Sequence, residues 1–379
     1  MTLLILNAAE KSYATQSIIH AGEKRGHKMM VLDPEYFSPL VSNIENGYDR
    51  VYDLLPKTAT RIAIKQIDAI IPRIANNVIY NSYVLEHLTE NLGIYSTQSG
   101  AGIRAAANKW HTTQTVSRYG IKTPKTIYLK NASNLDFLIE KLDSWPIVLK
   151  YVYGSQGVGV VLLNDRKSAI STCEALLKNK ADIILQEYIE SKGSDIRAIV
   201  VGDKVVTAYR RTAPKGEFRS NLSLGGTGEL VQLSMDDQII CIKASKAIGL
   251  EVSGVDLIKD SKGTTFLVEI NSNFGIKGQK ITGIDFGEQM IEYIEKREVY
   301  GSTAPAKSPD LFFEQLRNQN RSLHQQLQFF TENRSIQQIY DSTNGKEIHY
   351  VDVNGKPNLR SIKSKHDLYR IIFDTFKIN

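Results

Sequence analysis

The run Phe266-Leu267-Val268-Glu269-Ile270-Asn271 sets one carboxylate and one carboxamide among apolar residues. Side chains alternate between the two faces of a strand, so Glu269 and Asn271 are expected to point the same way. A matching run, Gly254-Val255-Asp256-Leu257-Ile258, lies upstream. The polar segment Lys259-Asp260-Ser261-Lys262-Gly263 between them carries the glycine of a hairpin turn. With the turn centred near Ser261 and Lys262, Asp256 falls opposite Glu269. Two carboxylates and an amide oxygen then share one face. Such hard oxygen ligands suit one or two magnesium ions that also hold phosphates. A surface hairpin with solvated acids carries the same letters, so the neighbouring segments decide.

Upstream, Ile147 to Val152 reads as a strand, Gly154-Ser155-Gln156-Gly157-Val158-Gly159 as a glycine-rich turn, and Val160 to Leu163 as a second strand. Glycines let backbone N–H groups approach a phosphate closely, because no Cβ intervenes. Lys150 lies at the base of that loop. Asp182 to Ile189 reads as a strand that ends in polar residues, and Ile196 to Val201 with Lys204 to Tyr209 as a hairpin around Gly202-Asp203. A basic loop with Arg210, Arg211, Lys215 and Arg219 follows, whose guanidinium forks suit an anion. Asp237 to Gly249 reads as a helix.

Toward the N-terminus, short apolar strands at 3–6, 29–32 and 68–73 alternate with helices at Ser12 to Arg25 and Asn81 to Leu92. This alternation predicts a small parallel sheet with helices on its faces. Ala101 to Tyr119 reads as one helix carrying Lys109, and Thr126 to Leu129 as an edge strand. No Gly-x-Gly-x-x-Gly follows the first strand, and no Gly-x-x-x-x-Gly-Lys-Ser/Thr occurs anywhere, so neither a dinucleotide fingerprint nor a P-loop is present.

The chain has 379 residues, 42% hydrophobic and 23% charged, which fits two or three domains with a sizeable core. Cys173 and Cys241 sit in helix-like segments and read as buried small hydrophobes rather than a disulfide, as in a reducing cytoplasm. No signal peptide is read at the N-terminus and no run approaches a membrane span. The net charge of +6 is spread along the chain rather than clustered, so a nucleic-acid partner is not expected and anionic nucleotides and acidic substrates are.

In this order the pieces resemble the ATP-grasp superfamily, and most closely the RimK-type α-L-glutamate ligases, over residues 1–297. The matching segments include Ile71-Pro72-Arg73-Ile74, GSQGVGVVL at 154–162, QEYI at 186–189, DIR at 195–197, FRSN at 218–221, GVD at 254–256, EIN at 269–271 and TGID at 282–285. The resemblance implies α/β and α+β architecture. Its parts are an N-terminal pre-ATP-grasp parallel-sheet domain (1–98), an ATP-grasp subdomain with the glycine-rich lid (99–190), a second ATP-grasp subdomain with the metal site (191–300) and a C-terminal extension (301–379). It implies ATP and magnesium or manganese, with two ions. Lys109 and Lys150 would contact the phosphates beneath the lid formed by Gly154, Ser155, Gln156 and Gly157. Gln186, Glu187 and Tyr188 would line the adenine. Asp195, Arg219, Ser220 and Asn221 would lie near the nucleotide, and Asp256, Glu269 and Asn271 would hold the metal.

The implied activity is ATP-dependent carboxylate–amine ligation through an acyl phosphate, with glutamate as the amine and a peptide or protein C-terminal carboxylate as acceptor. Arg211 and Arg219 are the candidates for stabilising the transferred phosphoryl group and the oxyanion. A small-molecule or biosynthetic-peptide ligase is the alternative, and a nucleotide-binding scaffold without catalysis is the rival from another class. The chain departs from the family pattern at Ser272-Asn273-Phe274-Gly275, where a small residue and a proline commonly precede the glycine. It also continues about eighty residues further. Gly301 to Pro309 reads as a linker, Leu311 to Asn333 as an amphipathic helix, Ile336 to Tyr340 and Glu347 to Val353 as strands around Asn344-Gly345, and Asp367 to Phe376 as a helix. This extension, with eleven Lys and Arg against eight Asp and Glu, is expected to be a packing or oligomerisation arm of a homo-oligomer, or a docking module for a peptide.

Overall fold

The first strand, β1 (Thr2–Leu6), is apolar at every position after Thr2, and Leu3 to Leu6 are fully buried. A strand buried on both faces belongs at the centre of a parallel sheet. The computed structural model places it there, and it describes residues 1–40, 50–55, 58–61, 66–154, 159–220, 222, 225–299, 347–351 and 357–361. The chain divides into two compact units, Met1–Ala304 and Pro305–Asn379.

In the first unit, α1 (Tyr13–Lys24) leads to β2 (Lys28–Leu32), which pairs with β1 in parallel. β3 (Phe37–Leu40), β4 (Arg50–Leu55) and β5 (Thr58–Arg61) make a separate antiparallel ladder. β6 (Ala69–Pro72) returns to the other side of β1, α2 (Val78–Glu86) runs into one π-helical turn at His87–Asn91, and β7 (Tyr95–Ser96) completes the order β2-β1-β6-β7.

The helix expected over Ala101 to Tyr119 is interrupted. α3 (Gly100–Ala107) stops at Asn108, whose backbone is extended at φ −102°, and α4 starts at Lys109 (Lys109–Arg118). Asn108 caps α4 by accepting a hydrogen bond from the His111 amide and forms an antiparallel bridge to Tyr153. An asparagine side chain that satisfies an orphan amide competes with continued helix. The break makes Lys109 the first residue of a helix.

β8 (Thr126–Leu129), α5 (Leu135–Leu142), β9 (Ile147–Tyr151), β10 (Val160–Leu163), α6 (Arg166–Lys178) and β11 (Ile183–Glu187) form a small unit with the antiparallel order β10-β9-β11-β8, and β8 is an edge as expected. One face buries Leu149, Ile147, Ile183 and Leu185 against Leu135 and Ile139 of α5 and Ala169 and Cys173 of α6, an apolar core of its own. Strand alternation turns Val148, Lys150 and Gln186 to the other face.

β12 (Ser194–Val201), β13 (Lys204–Thr212), β14 (Thr227–Leu230), β15 (Val252–Lys259) and β16 (Thr265–Asn271) form a five-stranded antiparallel sheet ordered β14-β13-β12-β15-β16. Arg210 and Arg211, expected in a loop, belong to β13, where β12 pairs them with Ile196 and Asp195 and β14 pairs them with Glu229 and Gly228. One face lays Ile196, Ala198, Val255 and Leu257 on Cys241, Ala244 and Ile248 of α7 (Met235–Ile248). On the other, Ile199, Val201 and Val252 join Leu3, Ile5 and Ile71 of the parallel sheet. After the short α8 (Gln279–Thr282), α9 (Phe286–Val299) closes that second core with Phe286, Met290 and Ile294. Cys173 and Cys241 are both buried free thiols.

In the second unit, β17 (Glu347–Val351) pairs with β18 (Pro357–Ser361), a partner downstream rather than the expected one across Asn344-Gly345. The intervening segment contains a second Asn-Gly pair, Asn354-Gly355, and this dipeptide is a strong hairpin signal. The elements expected at 311–333, 336–340 and 367–376 lie outside the described residues.

Replacing Leu149 by Ala removes a fully buried side chain from the small core and should cost about 2–5 kcal/mol. Urea denaturation of the two proteins checks this, and a loss below about 1 kcal/mol would mean the site collapses around the deletion.

Candidate functional site

Where the five-stranded sheet leaves the second core, the same face turns polar. Asp195 and Arg197 alternate on β12, Arg211 lies on β13, Asp256 on β15, and Glu269 and Asn271 on β16. Cross-strand register pairs Asp195 with Arg211, Arg197 with Asp256 and Asp256 with Glu269. Opposite charges directly across a ladder attract, and here they meet side by side. Arg197 Nε and Nη2 donate to the two oxygens of Asp256 at 2.6 and 2.5 Å. Arg211 Nε donates to Asp195 Oδ1 at 2.7 Å, its Nη2 to Asp195 Oδ2, and the same Nη2 lies 2.9 Å from Asp256 Oδ2. Burial works to raise the Asp256 carboxyl, and the two guanidinium groups outweigh it, so its pKa falls below the usual carboxylate range. Burial likewise opposes the charge on Arg211, and Asp256 and Asp195 more than reverse it.

The expected juxtaposition of Asp256 and Glu269 is present, but the turn alone does not produce it. Leu257 pairs with Leu267, and the register then shifts so that Asp256 meets Glu269, leaving Val268 as an extra residue. Uninterrupted, the ladder would set Val268 against Asp256. The bulge shifts the alternation by one step, so Leu267 and Ile270 both face the core while Glu269 and Asn271 face the site. Bulges re-aim side chains in this way next to functional sites.

Glu269 is bound by Lys109, whose Nζ lies 3.2 Å from Oε1 and donates at 2.6 Å to the Gly154 carbonyl. The break at Asn108 thus places a lysine between the glycine-rich segment and β16. Asn271 Nδ2 lies 3.5 Å from Asp256 Oδ2. Among the described residues no three His, Cys, Asp or Glu side chains gather at one point. The candidate set is instead two carboxylates and a carboxamide. That donor set fits magnesium or manganese, and its oxygens are balanced here by Arg197, Arg211 and Lys109.

Facing this sheet, Lys150 Nζ donates to Gln186 Oε1 at 2.7 Å, and Gln186 Nε2 donates to Thr126 Oγ1 at 2.9 Å. Burial lowers the Lys150 ammonium to about 8, with Glu269 and Asp256 opposing and Lys109 assisting. A cleft of about 140 Å³ lies between the two sheets, and Lys109, Lys150, Gly154, Gln186, Glu187, Tyr188, Asp195, Arg211, Arg219, Ser220, Asp256 and Glu269 all border it. Twelve residues singled out in sequence therefore converge there. Arg219 also donates to Glu217 at 2.6 Å. Asn271 borders a larger cleft of about 960 Å³, and Gly154, Arg211 and Glu269 border both. Ser155, Gln156, Gly157 and Asn221 lie outside the described residues. Sequence reasoning assigned no role to Arg197. Its signal was the spacing from Asp195, two residues along one strand.

A family model for the RimK PreATP-grasp domain matches residues 1–103, and one for the RimK-like ATP-grasp domain matches residues 106–294. The chain is 38% identical over 299 residues to a probable alpha-L-glutamate ligase 2 of Shewanella amazonensis, covering 78% of this chain and 96% of that protein. It is 37% identical over 307 residues to a probable alpha-L-glutamate ligase of Pseudoalteromonas translucida, covering 80% and 98%. The fold is similar to that of the ATP-grasp ligase PsnB complexed with a minimal precursor, with a TM-score of 0.60, 15% identity and coverage of 78% and 98%. It is also similar to the macrocyclase MdnC of Microcystis aeruginosa bound with its precursor peptide MdnA, with a TM-score of 0.58, 14% identity and coverage of 78% and 100%.

With its pKa near 8, Lys150 is partly neutral in mildly alkaline solution. A polyphosphate in the smaller cleft favours the charged form, so nucleotide binding at pH 8.5 should take up as much as about one proton, and binding at pH 6.5 close to none. Calorimetry in two buffers of different ionisation enthalpy measures the uptake. Uptake that persists in Lys150→Met would assign it to another group.

Proposed function

The chain belongs to the RimK-like ATP-grasp family and is an ATP-dependent ligase, and we propose that it joins the amine of glutamate to the C-terminal carboxylate of a peptide or protein. The observation that carries this reading is the meeting of two clefts at Arg211, Glu269 and Gly154. ATP takes the smaller cleft, where Lys109 and Lys150 face its phosphates and Gln186, Glu187 and Tyr188 lie beside its adenine. The acceptor takes the larger one.

The acceptor carboxylate attacks the γ-phosphorus, ADP leaves, and an acyl phosphate remains. The amine then attacks the acyl carbon and loses a proton, and phosphate departs. Such chemistry needs alignment and charge neutralisation more than a protein nucleophile. Asp256, Glu269 and Asn271 would hold magnesium, in our reading two ions, which neutralise phosphate charge when bound. Arg197 fixes the Asp256 carboxylate through both oxygens. Arg211 and Arg219, with Ser220 and Asp195 beside them, stabilise the phosphoryl group in transfer and the oxyanion that follows.

Glutamate is supported by the names of the relatives, and a peptide acceptor by neighbours solved with precursor peptides. Ser272-Asn273-Phe274-Gly275 lines the larger cleft and departs from the family pattern. This favours, as a second reading, a ligase for a small molecule or a biosynthetic peptide. The D-cycloserine synthetase DcsG, with a TM-score of 0.58, shares the fold. A scaffold without catalysis fits poorly with a complete set of cations and oxygen donors. We place the protein in the cytoplasm, in keeping with its two buried free thiols. Among the described residues no helix is long and apolar enough to cross a membrane.

Incubation with ATP, magnesium and single amino acids should release ADP, and intact mass spectrometry of the acceptor should show the gain of one glutamate residue. No ADP release with any amino acid would sink the glutamate version. Glu269→Gln should lower turnover by at least about 10²-fold, the scale for losing an electrostatic contact to the transition state, with an unchanged melting temperature. Full activity in that variant would remove Glu269 from the site.

A further inference from the structure

A third chamber, of about 180 Å³, opens at the carboxyl ends of β1 and β6 in the parallel sheet. Open parallel sheets bind ligands at that end. Asn7, Ala8, Ala14, Arg73, Asn81 and Asn273 are among its walls. Ile74, Ala75 and Asn273 also border the larger cleft, so the chamber is a side room of it.

Arg73 is only 5% exposed. Its Nη2 donates to the Phe274 carbonyl at 2.8 Å, and its guanidinium lies 5.6 Å from the Phe274 ring centre. Its Nε is buried with no acceptor, and among the described residues it meets no carboxylate. Arg197 and Arg211 beside the clefts each hold an aspartate, and Arg104 and Arg219 there each hold a glutamate. A buried cation without a counter-charge is costly. Burial brings the Arg73 pKa down to about 10, so it stays charged at neutral pH. Asn81, 3% exposed, donates from Nδ2 to the Asn76 carbonyl at 2.8 Å, and its Oδ1 has no donor. α1 begins at this chamber, with Ala14 of its first turn in the wall and no acidic residue in that turn. The positive end of a helix attracts anions.

We propose that this chamber binds the terminal carboxylate of an amino-acid-like substrate, held by Arg73 and the start of α1, with Asn81 Oδ1 accepting from the adjacent N–H or ammonium. The identity of the substrate rests on the ligase reading, and the binding of a carboxylate does not. Asn273 Nδ2 donates to the Arg73 carbonyl at 3.3 Å, and Phe274 anchors the guanidinium. Asn273, from the segment that departs from the family pattern, therefore borders both chamber and cleft. Free glutamate presents the required chemistry with its amine left to react, whereas the acceptor's C-terminal carboxylate has to reach the γ-phosphorus and cannot stay in the chamber.

The test is binding without ATP or magnesium, read by calorimetry with three probes: L-glutamate, a short peptide with a free C-terminus, and the same peptide amidated. The amidated peptide should not bind, and L-glutamate should bind more tightly than the free-acid peptide. Arg73→Met should weaken that binding at least tenfold and Arg73→Lys less. Ala8→Phe, on the exposed rim, should weaken it without touching Arg73, and it decides the matter if Arg73→Met fails to fold. In turnover, Ala8→Phe and Arg73→Lys should raise KM for L-glutamate and leave KM for ATP in place. Equal affinity in wild type and variants, equal binding of the amidated peptide, or no binding of L-glutamate would overturn the proposal. Because no ATP is present, a failed ligase assay leaves this result standing, and an empty chamber leaves the ligase reading standing.

Discussion

Two arginines and two aspartates, packed almost out of solvent on one face of an antiparallel sheet, fix everything around them. Arg197 grips both oxygens of Asp256, and Arg211 bridges Asp256 and Asp195. Four charges that sum to zero are tolerable in a poorly hydrated place only while each keeps its partners. Their geometry is therefore rigid. It ties β12, β13 and β15 together through side chains as well as through the backbone ladder. It also holds Asp256 in a single orientation facing Glu269, so the oxygen donors on β15 and β16 are set in place before any ligand arrives.

The same face shows how a single sheet divides labour. Ile199, Val201 and Val252 carry the packing against the parallel-sheet domain, while Asp195, Arg197, Arg211 and Asp256 carry the charge. Alternation along each strand makes this possible without mixing, since the opposite face packs its apolar residues on α7. The register also shifts between β12 and β13 at Ile199 and Val200, but the bulge at Val268 occurs where a carboxylate has to be turned outward.

Much of this was legible in the sequence, for identifiable reasons. Alternating polarity on both sides of a glycine turn was enough to bring Asp256 and Glu269 into one hairpin, though their pairing needs the bulge at Val268, and apolar runs bounded by turn residues located β1, β9 and β11. What stayed hidden depends on contacts between residues distant in the chain. The letters around Asn108 read as continuous helix, and the break there is accompanied by its bridge to the distant Tyr153. Arg211 sits in a polar run that reads as loop, and its strand state comes from pairing with β12 and β14. Arg197 gains its meaning from Asp256, 59 residues away. The isolation of Arg73 could not be read at all, because a missing counter-charge is a property of the neighbourhood and not of any motif.

The unit of β8 to β11 with α5 and α6 keeps its own apolar core, and that independence shapes how the protein loses and regains structure. A layer with a private core can pivot without wetting apolar surface. It can also open as one cooperative block while the rest stays folded. Slow amide exchange along β9 and β11 would then report the local integrity of this block, separate from the global unfolding reported by β1 and β12. Heat or denaturant would strip the lysine-bearing wall from the site first and leave the charged sheet opposite intact.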